Sequence, residues 1–234
     1  MYLEKKVLLP FEDIPFVSFV TCKSNMTTQI EKQYVLNTYN QIANEFSHTR
    51  YNVWNFVNEF LEHKKELFGL DMGCGNGKNM IHDNMIGIDT NETFVEICKS
   101  KGKSVISADI CELPFREGLF DYCFSVSVIH HLSTEERRVR SIDELIRVLK
   151  PCGYGMFNVW SYEQQEKRSF VRGDNYVEWR SNKKSTLSSL SSLRYYYIMD
   201  YEMFSNLIDK FSDKINILHI KNEKGNWIVT FTKK

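Results

Sequence analysis

Apolar and polar positions alternate along this chain in two rhythms, and the order of those rhythms predicts the fold. Val53, Phe56, Val57, Phe60 and Leu61 fall at i, i+3, i+4, i+7 and i+8 within Asn52–His63, the spacing of one helix face. Thr27–Phe46 carries Ile30, Tyr34, Tyr39, Ile42 and Phe46 near the same spacing. Thr134–Leu149 is the clearest case. Val139, Ile142, Leu145, Ile146 and Leu149 share a face, Ser133 or Thr134 can cap the start, and Pro151 follows the end. Short apolar runs between such segments predict strands at about 67–72, 85–89, 103–107, 121–127, 153–160, 215–221 and 227–232. Helices alternating with the early strands predict an α/β fold: a mostly parallel, seven-stranded sheet covered on both faces, with an N-terminal helical segment. The last two runs, INILHIK and WIVTFT, flank Gly225 and predict a terminal antiparallel hairpin. The rhythm breaks between about 161 and 192, which is basic first (Lys167, Arg168, Arg172, Arg180, Lys183, Lys184) and then serine-rich. That composition predicts a substrate-side loop or lid, not a second domain. Residues 1–26 match no usable pattern, so one domain over 27–234 with an N-terminal extension is expected.

Composition narrows the class. The chain has 234 residues, 42% of them hydrophobic and 26% charged, enough to bury one full core. Its formal net charge is zero, so no global field draws it to nucleic acid, and RNA binding needs a local patch or a partner. Six cysteines (Cys22, Cys74, Cys98, Cys111, Cys123, Cys152) include no C-x-x-C pair. That argues against a zinc site or any other metal, and against a disulfide framework. It suits a reducing compartment, the cytoplasm first and the nucleus second. Val7–Val20 is apolar, but Pro10, Glu12, Asp13 and Pro15 interrupt it, so neither a signal-peptide core nor a membrane span is expected.

The chemistry concentrates in LDMGCGNGK, residues 70–78. An apolar run ends at Asp71, and Gly73, Gly75 and Gly77 follow at every second position. A strand breaking into such a turn lets a ligand approach the backbone with no Cβ in the way. The spacing is G-x-G-x-G, not the G-x-G-x-x-G of a dinucleotide site, which excludes an NAD-dependent oxidoreductase. Asp89 ends the next run, MIGID, where an adenosine ribose needs an acceptor in a Rossmann-like sheet. Asp109 and Ile110 follow in ADICELPF, placed to meet an adenine amino group and its ring. Together these point to S-adenosylmethionine, with Asp71 accepting from its ammonium. The Gly73–Gly77 backbone and a helix N-terminus behind it are expected to receive its carboxylate. Ser125, at the end of the fourth run, belongs to the same cofactor set. The alternative for any one of these acids is a turn residue or helix cap, and Asp109 alone reads almost equally as one.

A second set is basic and aromatic. DYCFSVSVIHHLS ends with His130 and His131 beside the expected methyl donor, where one can contact the acceptor and the other pack. Arg50 and Trp54 sit in the joint FSHTRYNVW, Trp160 and Glu163 leave a strand in NVWSYEQ, and Arg194 opens RYYYIM ahead of a helix. A lone arginine at a helix joint is more often a surface ion pair, and dense tyrosines can simply be core.

These segments together resemble the tRNA wobble-uridine carboxymethyl methyltransferases, a class I family that includes the methyltransferase domain of the AlkB-like tRNA enzymes. LDMGCGNGK marks only the class. YNQIANEFSHTRYNVW, VIHHLSTEERRVRSIDELIRVLKP, NVWSYEQ and RYYYIM are specific and occur in the family's order, from about Glu31 to Lys234. The resemblance implies methyl esterification of 5-carboxymethyluridine in the tRNA anticodon loop. It also implies a small zinc-binding activator protein docked along a third strand at Lys103–Ala108. Arg50 and Arg194 are then expected to capture and orient the modified base or nearby phosphates. One of His130 and His131 would place the carboxylate, and Trp160 or a tyrosine would stack the splayed base. The chain departs from the pattern at a short connection from Lys78 to Gly87, at Asn79 in place of an aromatic residue, and at Cys152 in place of a glycine. A quinone-type small-molecule methyltransferase and a non-catalytic scaffold of the same fold are the alternatives.

Overall fold

The computed structural model describes residues 27–164, 169–179 and 192–234. The extension over 1–26 and the basic residues Lys167, Arg168, Arg180, Lys183 and Lys184 lie outside them. The strands are β1 (Gly69–Met72), β2 (Met85–Asp89), β3 (Val105–Ser107), β4 (Phe120–Val126), β5 (Leu149–Trp160), β6 (Gly173–Glu178), β7 (Leu193–Ile198), β8 (Ile215–Glu223) and β9 (Asn226–Lys233). Seven of them form one sheet in the order β3-β2-β1-β4-β5-β9-β8. β1 to β5 pair in parallel, while β9 runs antiparallel between β5 and β8. The predicted sheet and its terminal hairpin are present. β1 and most of β4 are buried on both faces, which is why they read as continuous apolar runs instead of alternating ones.

Helices cover both faces. α3 (Asn55–Leu61) and α4 (Glu92–Ser100) bury Phe56, Val57, Phe60, Val95 and Cys98 in one core. α5 (Glu135–Val148) and α6 (Tyr201–Asp209) bury Ile142, Leu145, Phe204 and Leu207 in the other. Of the two predicted caps for α5 it is Thr134 whose Oγ1 accepts from Arg137 N at 3.3 Å. At the N-terminus, α1 (Gln29–Glu31), a π-helical stretch (Lys32–Leu36) and α2 (Asn37–Thr49) form one rod across the carboxyl ends of the strands.

Two expectations fail. The stretch 161–192 is not simply a loop, because β6 and β7 pair as a separate antiparallel ribbon with Tyr176 opposite Tyr195 and Val177 opposite Arg194. RYYYIM is therefore a strand. Its partner, GDNYVE, is too polar to announce itself, and alternates between partly buried and exposed positions. No helix follows the glycine turn either: 73–84 is a run of turns between β1 and β2. Asn76, Asn79, Asp83 and Asn84 carry no helical apolar spacing, and the connection is too short to cross the sheet as a helix. The ribbon and the rod hold each other, with Thr38 Oγ1 donating to Leu193 O at 2.8 Å and Tyr34 meeting Tyr176 edge-on at 4.8 Å.

Candidate active site

A cavity of about 1090 Å³ lies over the carboxyl ends of β1, β2, β4 and β5, roofed by the rod and the ribbon. Ligand sites in open α/β sheets sit at this end. The volume exceeds the range of about 300–1,000 Å³ typical of a single-ligand pocket. It has room for a cofactor and the reacting part of a second molecule.

At one end is the turn after β1. Gly73 has φ of +79° and a Cβ there would collide with Val128, so only glycine fits. A Cβ on Gly75 would meet nothing within 4 Å, because that backbone faces open cavity. Asp89 Oδ2 accepts from Gly75 N at 2.8 Å and its Oδ1 from Asn91 N at 2.9 Å, tying the turn to the end of β2. Burial raises the Asp89 carboxyl above its ordinary range. Asp71 lies beneath the turn, fully buried, and neither carboxylate oxygen has a partner. Burial, then the nearby Cys98 and Asp89, push its pKa well up.

Most of the loop amides expected to receive a carboxylate are engaged within the fold. Gly73 N and Cys74 N donate to Ile88 O, Gly75 N to Asp89, Gly77 N to Cys74 O and Lys78 N to Asn76. Lys78 and Arg50 also line this end and carry further donors. Asp109 and Ile110 also line the cavity, but Asp109 is already engaged. Its Oδ1 accepts from Cys111 N at 2.9 Å and its Oδ2 pairs with Arg137 at 2.9 Å. Arg137 in turn pairs with the buried Glu31 on the rod at 2.8 Å. Asp71, Gly77 and Ser125 do not line the cavity, and the Ser125 hydroxyl donates to Met72 O. An adenosine cofactor with an ammonium fits this end. It offers open space at Gly75, an acid, Asp89, at the end of β2, and a buried carboxyl without a hydrogen-bond partner below.

The other end is basic and aromatic. Trp160 stacks on Tyr196 with ring centroids 4.2 Å apart and planes 8° from parallel. The Trp160 backbone N–H donates to His130 Nδ1 at 3.0 Å, which leaves the ring proton on Nε2, and that atom is buried with no partner. His131 is held at both nitrogens: Nδ1 donates to Tyr195 O at 2.7 Å and Nε2 accepts from Tyr39 Oη at 3.1 Å. Burial drives His130 well below the ordinary histidine range and His131 down to about 3, so both rings are neutral. His131 braces the rod against the ribbon, and His130 keeps a spare donor.

Arg194 is 7% exposed and lines the same wall. Its guanidinium lies 5.2 Å from the Trp179 and Tyr196 ring centroids and bonds to Tyr39, and its Nε has no partner. Among the described residues no carboxylate pairs with it. Arg50 is exposed, 5.3 Å from the Phe46 ring and 6.0 Å from that of Trp179. Trp54 also lines the cavity, whereas Glu163 does not and binds Ser161 and the Trp227 indole. Sequence reasoning missed Glu31, Arg137, Tyr39 and Trp179, whose partners lie far along the chain. It also missed Ser127, held at φ +61° with its N–H on Asn158 Oδ1 at 2.8 Å.

Residues 70–157 match a family described as "Methyltransferase domain". The chain is 39% identical over 165 residues to the tRNA (carboxymethyluridine(34)-5-O)-methyltransferase of Schizosaccharomyces pombe, covering 66% of this chain and 71% of that one. It is 44% identical over 144 residues to the protein of the same name from Arabidopsis thaliana, covering 60% of this chain but only 36% of the relative. In fold it resembles a chain of the complex between the Haloferax volcanii Trm112 methyltransferase activator and a methyltransferase. There the TM-score is 0.61 at 12% identity, over 85% of this chain and 96% of that one.

Proposed function

This chain belongs to the tRNA (carboxymethyluridine(34)-5-O)-methyltransferase family, and from that premise we propose that it methylates the carboxylate of 5-carboxymethyluridine at tRNA position 34. Arg194 carries the reading. A buried guanidinium on a cavity wall, with aromatic neighbours and no carboxylate, is completed by an anion brought in with the substrate. A quinone would leave it uncompensated.

S-adenosylmethionine, when bound at the acidic end, supplies a sulfonium methyl open to in-line attack by a carboxylate oxygen. The new O–CH3 bond forms as the S–CH3 bond breaks, giving the methyl ester and S-adenosylhomocysteine. No general base is required, since an acceptor with pKa of about 4 is already ionised at neutral pH. Asp89, on the cavity lining, would hold the ribose, and Asp71, buried beneath the turn and outside the lining, would favour the ammonium at that end through its charge. Lys78 and Arg50, which line that end, would meet the cofactor carboxylate. Arg194 and the His130 Nε2–H would orient the acceptor, and the Trp160–Tyr196 pair would supply the aromatic wall beside the unstacked base. Opposite charges cancel as the methyl moves, so a closed, water-poor site favours the step. Arg194 therefore acts on capture and alignment more than on the barrier itself.

The partner is proposed to be a small zinc-binding activator. Among the described residues β3 stands at the sheet edge and pairs only with β2, an open ladder suited to strand addition. The fold likeness to a chain solved in complex with the Haloferax volcanii activator supports this. Buried free thiols at Cys74, Cys98, Cys111 and Cys123 fit a reducing, cytoplasmic setting. The test is methyl transfer from labelled S-adenosylmethionine to tRNA bearing 5-carboxymethyluridine, with and without the activator, read by nucleoside analysis. The methyl ester is the expected product. Intact cofactor binding with no transfer to that base would overturn the proposal.

A further inference from the structure

Beside the main cavity lies a second concavity of about 480 Å³, and its walls are basic. Arg50 and Lys78 form the shared rim, and Lys101 and Lys103 belong to the side pocket alone. The cations are held in place. Lys101 Nζ donates to Asn76 O at 2.9 Å, Lys103 Nζ to Met80 O at 2.6 Å and Lys78 Nζ to Asn52 O at 3.1 Å. Each ammonium keeps two further N–H donors. Among the described residues none of the four pairs with a carboxylate, and Asp83 is the one acid in the lining. Burial first, and then the nearby Arg50, lower the Lys78 pKa. This concentration stands out on a chain with zero net charge. Tyr51, 74% exposed, stands on the same shared rim.

We propose that this side pocket is where the phosphodiester backbone of the substrate RNA is held, with Lys101 and Lys103 as its dedicated contacts. The inference rests on the methyltransferase reading above and adds where the polyanion lies. Oriented ammonium groups without counter-ions suit phosphate oxygens, which fix register without reading sequence. The shared rim links a backbone held there to a base turned into the cavity. The neutral chain then needs no general positive surface, only this one.

The test is tRNA affinity of the chain with its activator, measured at several salt concentrations, for the wild type, Lys101→Ala, Lys101→Glu and Lys101→Arg. Losing one phosphate contact lowers the slope of log affinity against log salt by about 0.7–0.9. We expect that change for Lys101→Ala, a larger loss of affinity for Lys101→Glu and recovery by Lys101→Arg. KM for tRNA is expected to rise more than kcat falls, with affinity for S-adenosylmethionine within about twofold. A variant with wild-type slope and KM, in an enzyme that still esterifies tRNA, would overturn the side pocket alone. A wild type that neither bound nor modified tRNA would overturn both readings. Unchanged tRNA affinity with loss of the activator from Lys101→Glu would contradict the proposal and assign the patch to an acidic protein surface.

Discussion

The two ends of the cavity are opposites. Beneath the end built on β1 and β2 lies a buried carboxyl, Asp71, whose oxygens have no hydrogen-bond partner among the described residues, and the end built on β5, β7 and the rod keeps a buried guanidinium, Arg194, with no acid paired to it among those residues. Leaving one charge uncompensated costs a fold several kcal/mol, of order 3–5 when a pair is broken. Keeping two of opposite sign in one cavity makes sense when the ligands carry the missing charges: a cationic donor with its ammonium at one end, an anionic acceptor at the other. The contrast shows that this chain stores its specificity as incomplete electrostatics.

Arg194→Met removes one side of the contrast while keeping the bulk between Trp179 and Tyr196. It should lower kcat/KM for tRNA bearing 5-carboxymethyluridine about 100-fold, roughly the 2–5 kcal/mol expected for a buried charged contact. Steady-state kinetics checks this, and equilibrium dialysis should find cofactor affinity nearly unchanged. An equal loss in both would mean that the two ends are not separate.

Asp71→Asn tests the acidic end in the opposite sense. Cofactor affinity should fall at least about tenfold, or 1.4 kcal/mol, while the cofactor-free protein gains thermal stability. A carboxyl whose folded pKa is raised contributes stability below its unfolded pKa and loses it as pH climbs through the folded value. The stability advantage of Asp71→Asn should therefore grow as pH rises from acid towards neutral, as differential scanning fluorimetry would show.

Cys152→Gly lies at neither end and serves as the control. Cys152 sits at φ +61°, where a side chain is strained, so glycine should stabilise the fold by about 0.5–1 kcal/mol with activity intact. Denaturant unfolding measures it. The smallest effect is an absence of one: with His130 and His131 neutral far above their lowered pKa values, the rate should carry no histidine step between about pH 6 and 8.

The same contrast explains what the sequence made legible. Asp71, the glycine turn, Asp89 and Asp109 close consecutive strand runs within one short stretch, so local spacing exposes them. Even there, the amide bonds that close the loop onto Ile88 O and Asp89 depend on strand pairing and were invisible, as was the absence of a helix behind it. The basic end is assembled from the rod, the His130–His131 turn, β5 and the ribbon. Its residues and their general roles could be expected from resemblance, but not which histidine takes which role. That His131 is braced at both nitrogens while His130 keeps a free donor follows from Tyr39 and Tyr195, which no local pattern links to it. The Glu31–Arg137–Asp109 chain of ion pairs, which turns Asp109 partly into a structural residue, is likewise set by packing.

The central claim, that Arg194 reads the acceptor's negative charge, is tested most directly by comparing two tRNAs that differ only at the modified base. One carries 5-carboxymethyluridine and the other its neutral amide, 5-carbamoylmethyluridine, and both are titrated against the wild type and Arg194→Met with the activator present. The wild type should bind the acid at least about tenfold more tightly, a difference of 1.4 kcal/mol, and the variant should bind the two alike. A wild type that does not distinguish them, or a variant that still does, would contradict the account.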